Sequence, residues 1–150
     1  LTSGLTTDAN GRISGHRRTW VRGSCRVWRG ACLNESGYPI GPSADTLSTI
    51  KARCRGWEVT VVEDARAEAR EVGQRISMRY YGQSAYFRGE TLLHAGLRAL
   101  KYIARGRWRS GVQFLTGYLA DWWENAPRTD DPEILQWSRR ALVRHLFRRT

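Results

Sequence analysis

The chain has 150 residues, of which 41% are hydrophobic and 26% charged, a composition that predicts a folded domain with a buried core and excludes a disordered tail. Lys and Arg outnumber Asp and Glu by 25 to 14, and the net charge of +11 favours anionic partners such as nucleic acid, acidic lipid headgroups or phosphate-bearing substrates, unless the basic surface is merely solvated. The sequence has no apolar run of about 20 residues, no signal-peptide pattern and no CxxC spacing among its three cysteines, so it predicts no membrane-spanning helix, signal peptide, disulfide framework or zinc site.

The first quarter of the chain has weak secondary-structure signals. Residues 1–15 are polar and predict a turn-rich segment, whereas the apolar residues within 19–28 predict an extended segment. A short helix is predicted over residues 30–36, ended by Gly37.

A second helix has clearer boundaries. Ser43 is placed to cap it, Asp45 lies in its first turn, and Gly56 ends it. The alternation of residues 57–62 then predicts a strand.

The second half of the chain predicts helices rich in arginine and tryptophan. Amphipathic patterns cover residues 90–105, 110–124 and 131–148, and the last begins acidic and ends basic, as the helix dipole favours. In the first pattern an apolar stripe lies opposite basic residues; it consists of Leu92, Leu93, Leu97, Leu100 and Ile103. Near residue 75 the pattern changes from short β-like segments with glycine turns to helices, which indicates two parts, residues 1–75 and 76–150.

A series of short motifs occurs in the first part at characteristic spacing. They are Gly23, Trp28-Arg29, Gly37, Ala44-Asp45-Thr46, Arg55-Gly56-Trp57 and the run from Glu68 to Gly73. Their order resembles the end of the catalytic domain in glycosyltransferase family 2, whose members have the GT-A fold. The resemblance implies an α/β fold: a partial GT-A domain with a small mixed sheet, followed by an α-helical, basic extension.

The resemblance also implies an activity, which is inverting transfer of a sugar from a nucleotide-sugar donor to a hydroxyl of a lipid-linked or glycan acceptor. Asp45 stands where the family has its catalytic base, although Ala44 replaces the glutamate that commonly precedes it. From residue type alone, Asp45 is a first-turn carboxylate favoured by the helix dipole.

The resemblance implies roles for four further residues, and each of them also has an alternative interpretation. Arg22, Arg26 and Arg29 would bind the acceptor or its phosphate, or else form a basic strand edge. Glu68 stands where relatives often have a histidine that helps to bind Mg or Mn, and it is also suited to pairing with a neighbouring arginine on the surface.

The aspartate-rich nucleotide and metal motif of the family has no counterpart in this sequence. We therefore expect the chain to be the acceptor-side part of a longer enzyme, inactive alone, with the donor and most of the divalent-cation contacts supplied by the other half. The resemblance leaves the donor sugar, the acceptor and the linkage open.

The basic helices raise the question of what the second part binds. Arginines among aromatic side chains favour an anionic membrane surface, at the cytoplasmic face, with Trp108, Trp122 and Trp123 facing the membrane. The alternative is that the apolar stripes pack on one another or on the other half. A basic nucleic-acid-binding module is disfavoured because the sequence has no RNP1-like run, GXXG clamp or zinc finger. A non-catalytic peripheral membrane protein would leave the Asp45 segment unexplained.

Overall fold

The computed structural model describes residues 1–7, 21, 25–68 and 77–141. The chain divides into two compact units, one within Leu1–Gln74 and one within Arg75–Thr150. In the described part, the first unit contains a small mixed sheet with two helices, and the second contains four helices. The predicted α/β class, with a small mixed sheet followed by helices, is therefore confirmed at this level.

The sheet of the first unit has three strands in the order β2-β1-β3. The central strand β1, Thr2–Thr7, pairs antiparallel with β2, Arg26–Val27, and parallel with β3, Thr60–Glu68. The register of β1 with β3 shifts after Gly4. A Cβ at Gly4 would collide with the backbone carbonyl of Ala65, so the irregularity in β3 requires glycine at this position.

Two strand predictions need correction. The prediction of a turn-rich segment over residues 1–15 is wrong for β1, whose polar threonines nevertheless suit a strand because they branch at Cβ. The strand predicted over residues 57–62 begins three residues later, at Thr60, and continues to Glu68.

The two helices of the first unit follow the predicted boundaries. Helix α1, Gly30–Ser36, ends at Gly37, which has a φ of 65° and donates its N–H to the Leu33 carbonyl at 2.8 Å. Helix α2, Ala44–Cys54, buries Leu47 and Ile50, whereas Cys54 is exposed. The core beneath them consists of Leu1, Val21, Cys32 and Ala52, with Trp28, Trp57, Val59 and Val61 packed against it.

The second unit is helical throughout its described length. Its helices are α3 (Met78–Phe87), α4 (Leu92–Ala104), α5 (Trp108–Trp123) and α6 (Pro132–Arg139). Side chains of Ser77, Thr91 and Asp131 cap three of them by accepting backbone N–H groups. Helix α3 was not predicted, because small and polar residues along it replace a recognisable apolar stripe. Residues 142–148 of the predicted pattern 131–148 lie outside the described part of the chain.

Close backbone contacts join these helices. A Cβ at Gly82 on α3 would collide with the Phe114 carbonyl on α5, and one at Gly117 on α5 would collide with the Arg79 carbonyl on α3. Gly111 allows a similar approach of α5 to α4, since its Cβ would lie 2.7 Å from the Ala99 carbonyl oxygen. The core between the helices consists of Ala85, Tyr86, Ala95, Ala99, Phe114 and Tyr118.

Helix α4 is oriented differently from the simplest interpretation of its sequence. Ala95 and Ala99 face the core, and the predicted apolar stripe is exposed, with Leu93 at 64% and Leu100 at 60%. Arg98, one of the basic residues opposite that stripe, bonds to the buried Glu90. Within the described residues, no helix combines the length and apolar character needed to cross a membrane.

Candidate functional site

The first turn of α2 presents the predicted base, Asp45. Ser43, the N-cap residue, has left-handed backbone angles (φ 61°, ψ 43°), a conformation that costs a non-glycine residue roughly 1–2 kcal/mol. Its carbonyl accepts the N–H groups of Thr46 and Leu47 at 2.8 and 3.0 Å. Asp45 Oδ1 also accepts the Thr46 N–H, at 2.8 Å. Because a carboxylate has two oxygens, this bond fixes the orientation of the group without using all of its acceptor capacity.

Arg26 on β2 holds this turn in place. Its Nη1 donates to Ser48 Oγ at 2.6 Å, and its Nη2 contacts the Asp45 carbonyl at 2.8 Å and Thr49 Oγ1 at 3.1 Å. A further bond from Nη2 reaches the Val21 carbonyl at 3.1 Å. We call this set of bonds the Arg26 clamp. It ties the strand to the start of α2 and thereby fixes the peptide that carries the Asp45 side chain.

The clamp also sets the electrostatics around Asp45. Burial lowers the pKa of Arg26 below its ordinary value, and the negative charge of Asp45 opposes that shift. Arg26 is thus a half-buried cation next to Asp45, and the N-terminal end of α2 adds a partial positive charge. In the clamp, the Arg26 guanidinium donates to oxygens of the protein itself, so the geometry gives Arg26 a positioning role. Its predicted contact with an acceptor stays a prediction.

An aromatic pair lies beside the clamp and was not predicted as part of the site. The rings of Trp28 and Tyr38 meet edge to face with centroids 6.3 Å apart, and the Arg26 guanidinium lies 6.0 Å from the Trp28 ring. Tyr38 and Ile40 project from the loop before α2, and Ile40 is 96% exposed. The sequence signal was the bracketing of these residues by Gly37, Pro39, Gly41 and Pro42, which marks a loop that leads directly to Asp45. Trp28 and Trp57 pack against the core of the first unit.

The other residues predicted from the resemblance are placed as follows. Arg29 is exposed at the N-cap of α1, and Arg22 lies outside the described residues. Glu68 is the last residue of β3, but its side chain is outside the described part. Trp108, Trp122 and Trp123 are exposed on α5, with Trp123 at 80%.

No metal donor set is found among the described residues. Nowhere in residues 1–7, 21, 25–68 and 77–141 do three His, Cys, Asp or Glu side chains come together in a way that would hold an ion. The described part therefore offers no fit for the Mg or Mn that the resemblance implies, and the role of Glu68 stays a prediction.

A second group of charged side chains lies inside the helical unit. Glu90 accepts from Arg88 Nη2 at 2.7 Å and from Arg98 Nη1 at 2.8 and 3.0 Å, and its backbone carbonyl accepts from the Tyr118 hydroxyl at 2.6 Å. Arg88 and Glu90 are both buried. Burial raises the pKa of Glu90, but the two guanidiniums outweigh that effect and lower it to about 2. The cluster connects the start of α4 with α5, which is a structural role.

No family model, curated protein or solved structure matches this chain. Any function proposed for the chain therefore rests on the described geometry and on the resemblance of the motifs.

Proposed function

We propose that the chain forms the acceptor side of an inverting glycosyltransferase of the GT-A type, with Asp45 as the general base. The observation that carries the proposal is the Arg26 clamp, which fixes the first turn of α2 so that the Asp45 carboxylate has a defined position. A base must be held within hydrogen-bond reach of the hydroxyl that it deprotonates, so this rigidity suits the role.

The fold supports the proposal at a coarse level. A glycosyltransferase of this type would combine a small mixed sheet with flanking helices, and the first unit has both. The motifs that carry the resemblance also fall on element boundaries: Gly37 ends α1, Asp45 opens α2, and Gly56 follows its last turn.

In the proposed reaction, Asp45 accepts the proton of an acceptor hydroxyl while the hydroxyl oxygen attacks the anomeric carbon of the donor. The bond between that carbon and the phosphate oxygen breaks, and the nucleoside diphosphate leaves with the electron pair. The new glycosidic bond forms on the opposite face, which inverts the configuration. The donor is a nucleotide sugar, and the acceptor is a lipid-linked or glycan hydroxyl. Tyr38 and Ile40, on the loop before Asp45, would line its approach.

The alternative role for Asp45, a simple helix-terminal residue, predicts a different response to mutation. Asp45→Asn keeps an oxygen that can accept the Thr46 N–H, so the turn of α2 is preserved. The amide cannot take a proton, however. We expect the variant to lose about 10²–10⁴-fold of its transfer rate, the usual contribution of a general base, with a stability loss of no more than about 1 kcal/mol.

The experiment uses the protein as its gene encodes it, with a panel of labelled nucleotide sugars and a lipid extract as the source of acceptors. Transfer of label to lipid or glycan is measured together with thermal unfolding. Asp131→Asn is the matched control, because Asp131 also accepts N–H groups at a helix start, on α6, and asparagine caps almost as well. The control should transfer at the wild-type rate. Unchanged turnover in Asp45→Asn would refute the base, and absence of transfer by the wild type from every donor would refute the proposed function.

A further inference from the structure

An exposed apolar surface runs along one side of α4 and α5. On α4, leucines at 93, 97 and 100 have the spacing of one helical face, and on α5 Trp108, Val112 and Leu119 do the same. All six side chains are exposed, with Trp108 at 59%. We call this set the hairpin surface: Leu93, Leu97, Leu100, Trp108, Val112 and Leu119.

The two stripes form one surface because the helices pack as an antiparallel pair. Contacts between them pair residues early in α5 with residues late in α4: Gly111 lies against Ile103, and Phe114 against Tyr102 at a centroid distance of 6.1 Å. Ile103 is the connection between the stripes. It lies one turn beyond Leu100, is itself partly exposed, and covers Gly111, the neighbour of Val112.

The segment 91–120, which contains the hairpin surface, has charged residues of a single sign. The sequence contains no Asp or Glu from Thr91 to Ala120. Apart from Arg98, which is bound to Glu90, its cations are exposed near the turn between the helices: Lys101, Arg105, Arg107 and Arg109. Arg109 lies 5.4 Å from the Trp108 ring, so a guanidinium and an indole are presented together.

We propose that the hairpin surface docks on an anionic phospholipid membrane, with α4 and α5 lying in the plane of the interface. The leucines and Val112 enter the upper acyl region, Trp108 lies at headgroup depth, and the four cations contact lipid phosphates. This goes beyond the proposed sugar transfer, because it concerns the second unit and does not require Asp45. It also names leucine and valine side chains that enter the lipid, whereas the sequence indicated aromatic residues.

Charge complementarity favours a membrane over a second copy of this chain as the occupant of the hairpin surface. A second copy of the chain would bring four more cations to the interface, and added like charge disfavours such a contact. Other basic parts of this chain meet the same objection. A membrane with acidic headgroups supplies both the negative charge and the apolar layer that the surface lacks. An acidic, apolar protein surface would share that chemistry, and the experiment distinguishes the two.

The test is sedimentation of the protein with vesicles of phosphatidylcholine alone or of phosphatidylcholine with phosphatidylglycerol. We expect binding to the second kind only, weakened by salt. Each cation near an anionic surface contributes about a fivefold factor, so Arg105→Gln with Arg107→Gln should weaken binding about 30-fold. The matched control is Arg139→Gln with Arg140→Gln at the C-terminal end of α6, which removes the same charge from exposed positions outside the hairpin and should weaken binding much less.

A second set of variants tests the apolar contribution. Leu93→Gln with Leu97→Gln and Leu100→Gln should weaken binding to anionic vesicles at least tenfold, about the effect of removing a few partly inserted side chains. Because these leucines are exposed, circular dichroism should show an unchanged helix content. Asp45→Asn should bind as wild type does, so failure of the sugar-transfer proposal leaves this test intact.

Three results would overturn the proposal. They are no binding to anionic vesicles, equal losses in the Arg105/Arg107 and Arg139/Arg140 variants, and wild-type binding by the leucine variant. A concentration-dependent dimer that the leucine substitutions dissociate would assign the surface to a second copy instead. Purification of the chain in a stoichiometric complex with an acidic protein, dissociated by the same substitutions, would assign it to a protein partner.

Discussion

Replacement of Glu90 by glutamine tests whether the buried charge cluster stabilises the helical unit. Burial raises the pKa of Glu90, but Arg98 and Arg88 outweigh it and lower the pKa from 4.5 to about 2. A carboxyl group whose pKa is lower in the folded than in the unfolded state stabilises the fold above the unfolded pKa. That stabilisation is lost as the pH falls through the folded value. A pKa shift of this size corresponds to a contribution of about 3 kcal/mol to the free energy of unfolding at neutral pH.

We therefore expect Glu90→Gln to lower the free energy of unfolding at neutral pH by about 3–5 kcal/mol, because it leaves two guanidiniums in the interior without their carboxylate. The difference from wild type should shrink between about pH 4.5 and about pH 2, where wild type loses the same charge. Urea unfolding followed by circular dichroism at a series of pH values measures this difference. Hydrogen exchange of peptides from α3 to α5 assigns it to the helical unit.

Glu124→Gln is the control for this experiment, since Glu124 is exposed at the end of α5 and undergoes the same chemical change. It should alter the free energy of unfolding by no more than about 0.5 kcal/mol. A Glu90→Gln difference that stays constant across this pH range, or one below about 1 kcal/mol at neutral pH, would refute the argument that paired charges stabilise this interior.

Two further predictions concern the helix contacts and the Arg26 clamp. Gly82→Ala should destabilise the protein by about 2–3 kcal/mol through overlap with the Phe114 carbonyl, whereas Gly96→Ala on α4, where an added Cβ meets nothing within 4 Å, should stabilise it by about 0.5–1 kcal/mol. Thermal unfolding compares the two, and equal shifts would contradict the close approach of α3 and α5. Arg26→Gln should cost about 2 kcal/mol in urea unfolding, because the first turn of α2 loses its donor, while Arg29→Gln at an exposed position should change little. A loss no larger than that of Arg29→Gln would mean that the clamp does not hold α2.

The sequence predicted those elements whose ends have a local cause. Gly37 ends α1 because its φ of 65° is available to glycine at little cost. Asp45, in the first turn, marked the start of α2. Strand β1 had no such signal. Its pattern of threonine, serine and glycine becomes a central strand only because β2 and β3 supply partners on both sides, and those partners are distant in sequence.

The candidate site shows the same division. The resemblance identified Asp45, and helix geometry then placed it in the first turn of α2. The Arg26 clamp was not predictable, because its acceptors at Val21, Asp45, Ser48 and Thr49 come together only when β2 packs beside α2. Sequence alone suited Arg26 equally to an acceptor or phosphate contact and to a basic strand edge, and neither interpretation includes these bonds.

The orientation of α4 shows why an apolar stripe does not by itself identify the buried face. Periodicity defines two opposite faces, and the face that packs is the one that fits the neighbouring helix. Here α5 approaches α4 at Gly111, against the backbone of Ala99, and a row of leucines at that position would hold the helices apart. The small face of α4 is therefore inside, and the leucines are outside. Exposed leucines are unfavourable in water. Because basic residues surround them, a membrane with an apolar interior and anionic headgroups would remove this cost. The close packing of α4 on α5 and the exposure of the leucines proposed to enter the membrane thus have the same cause: the buried face of α4 is the one with small residues.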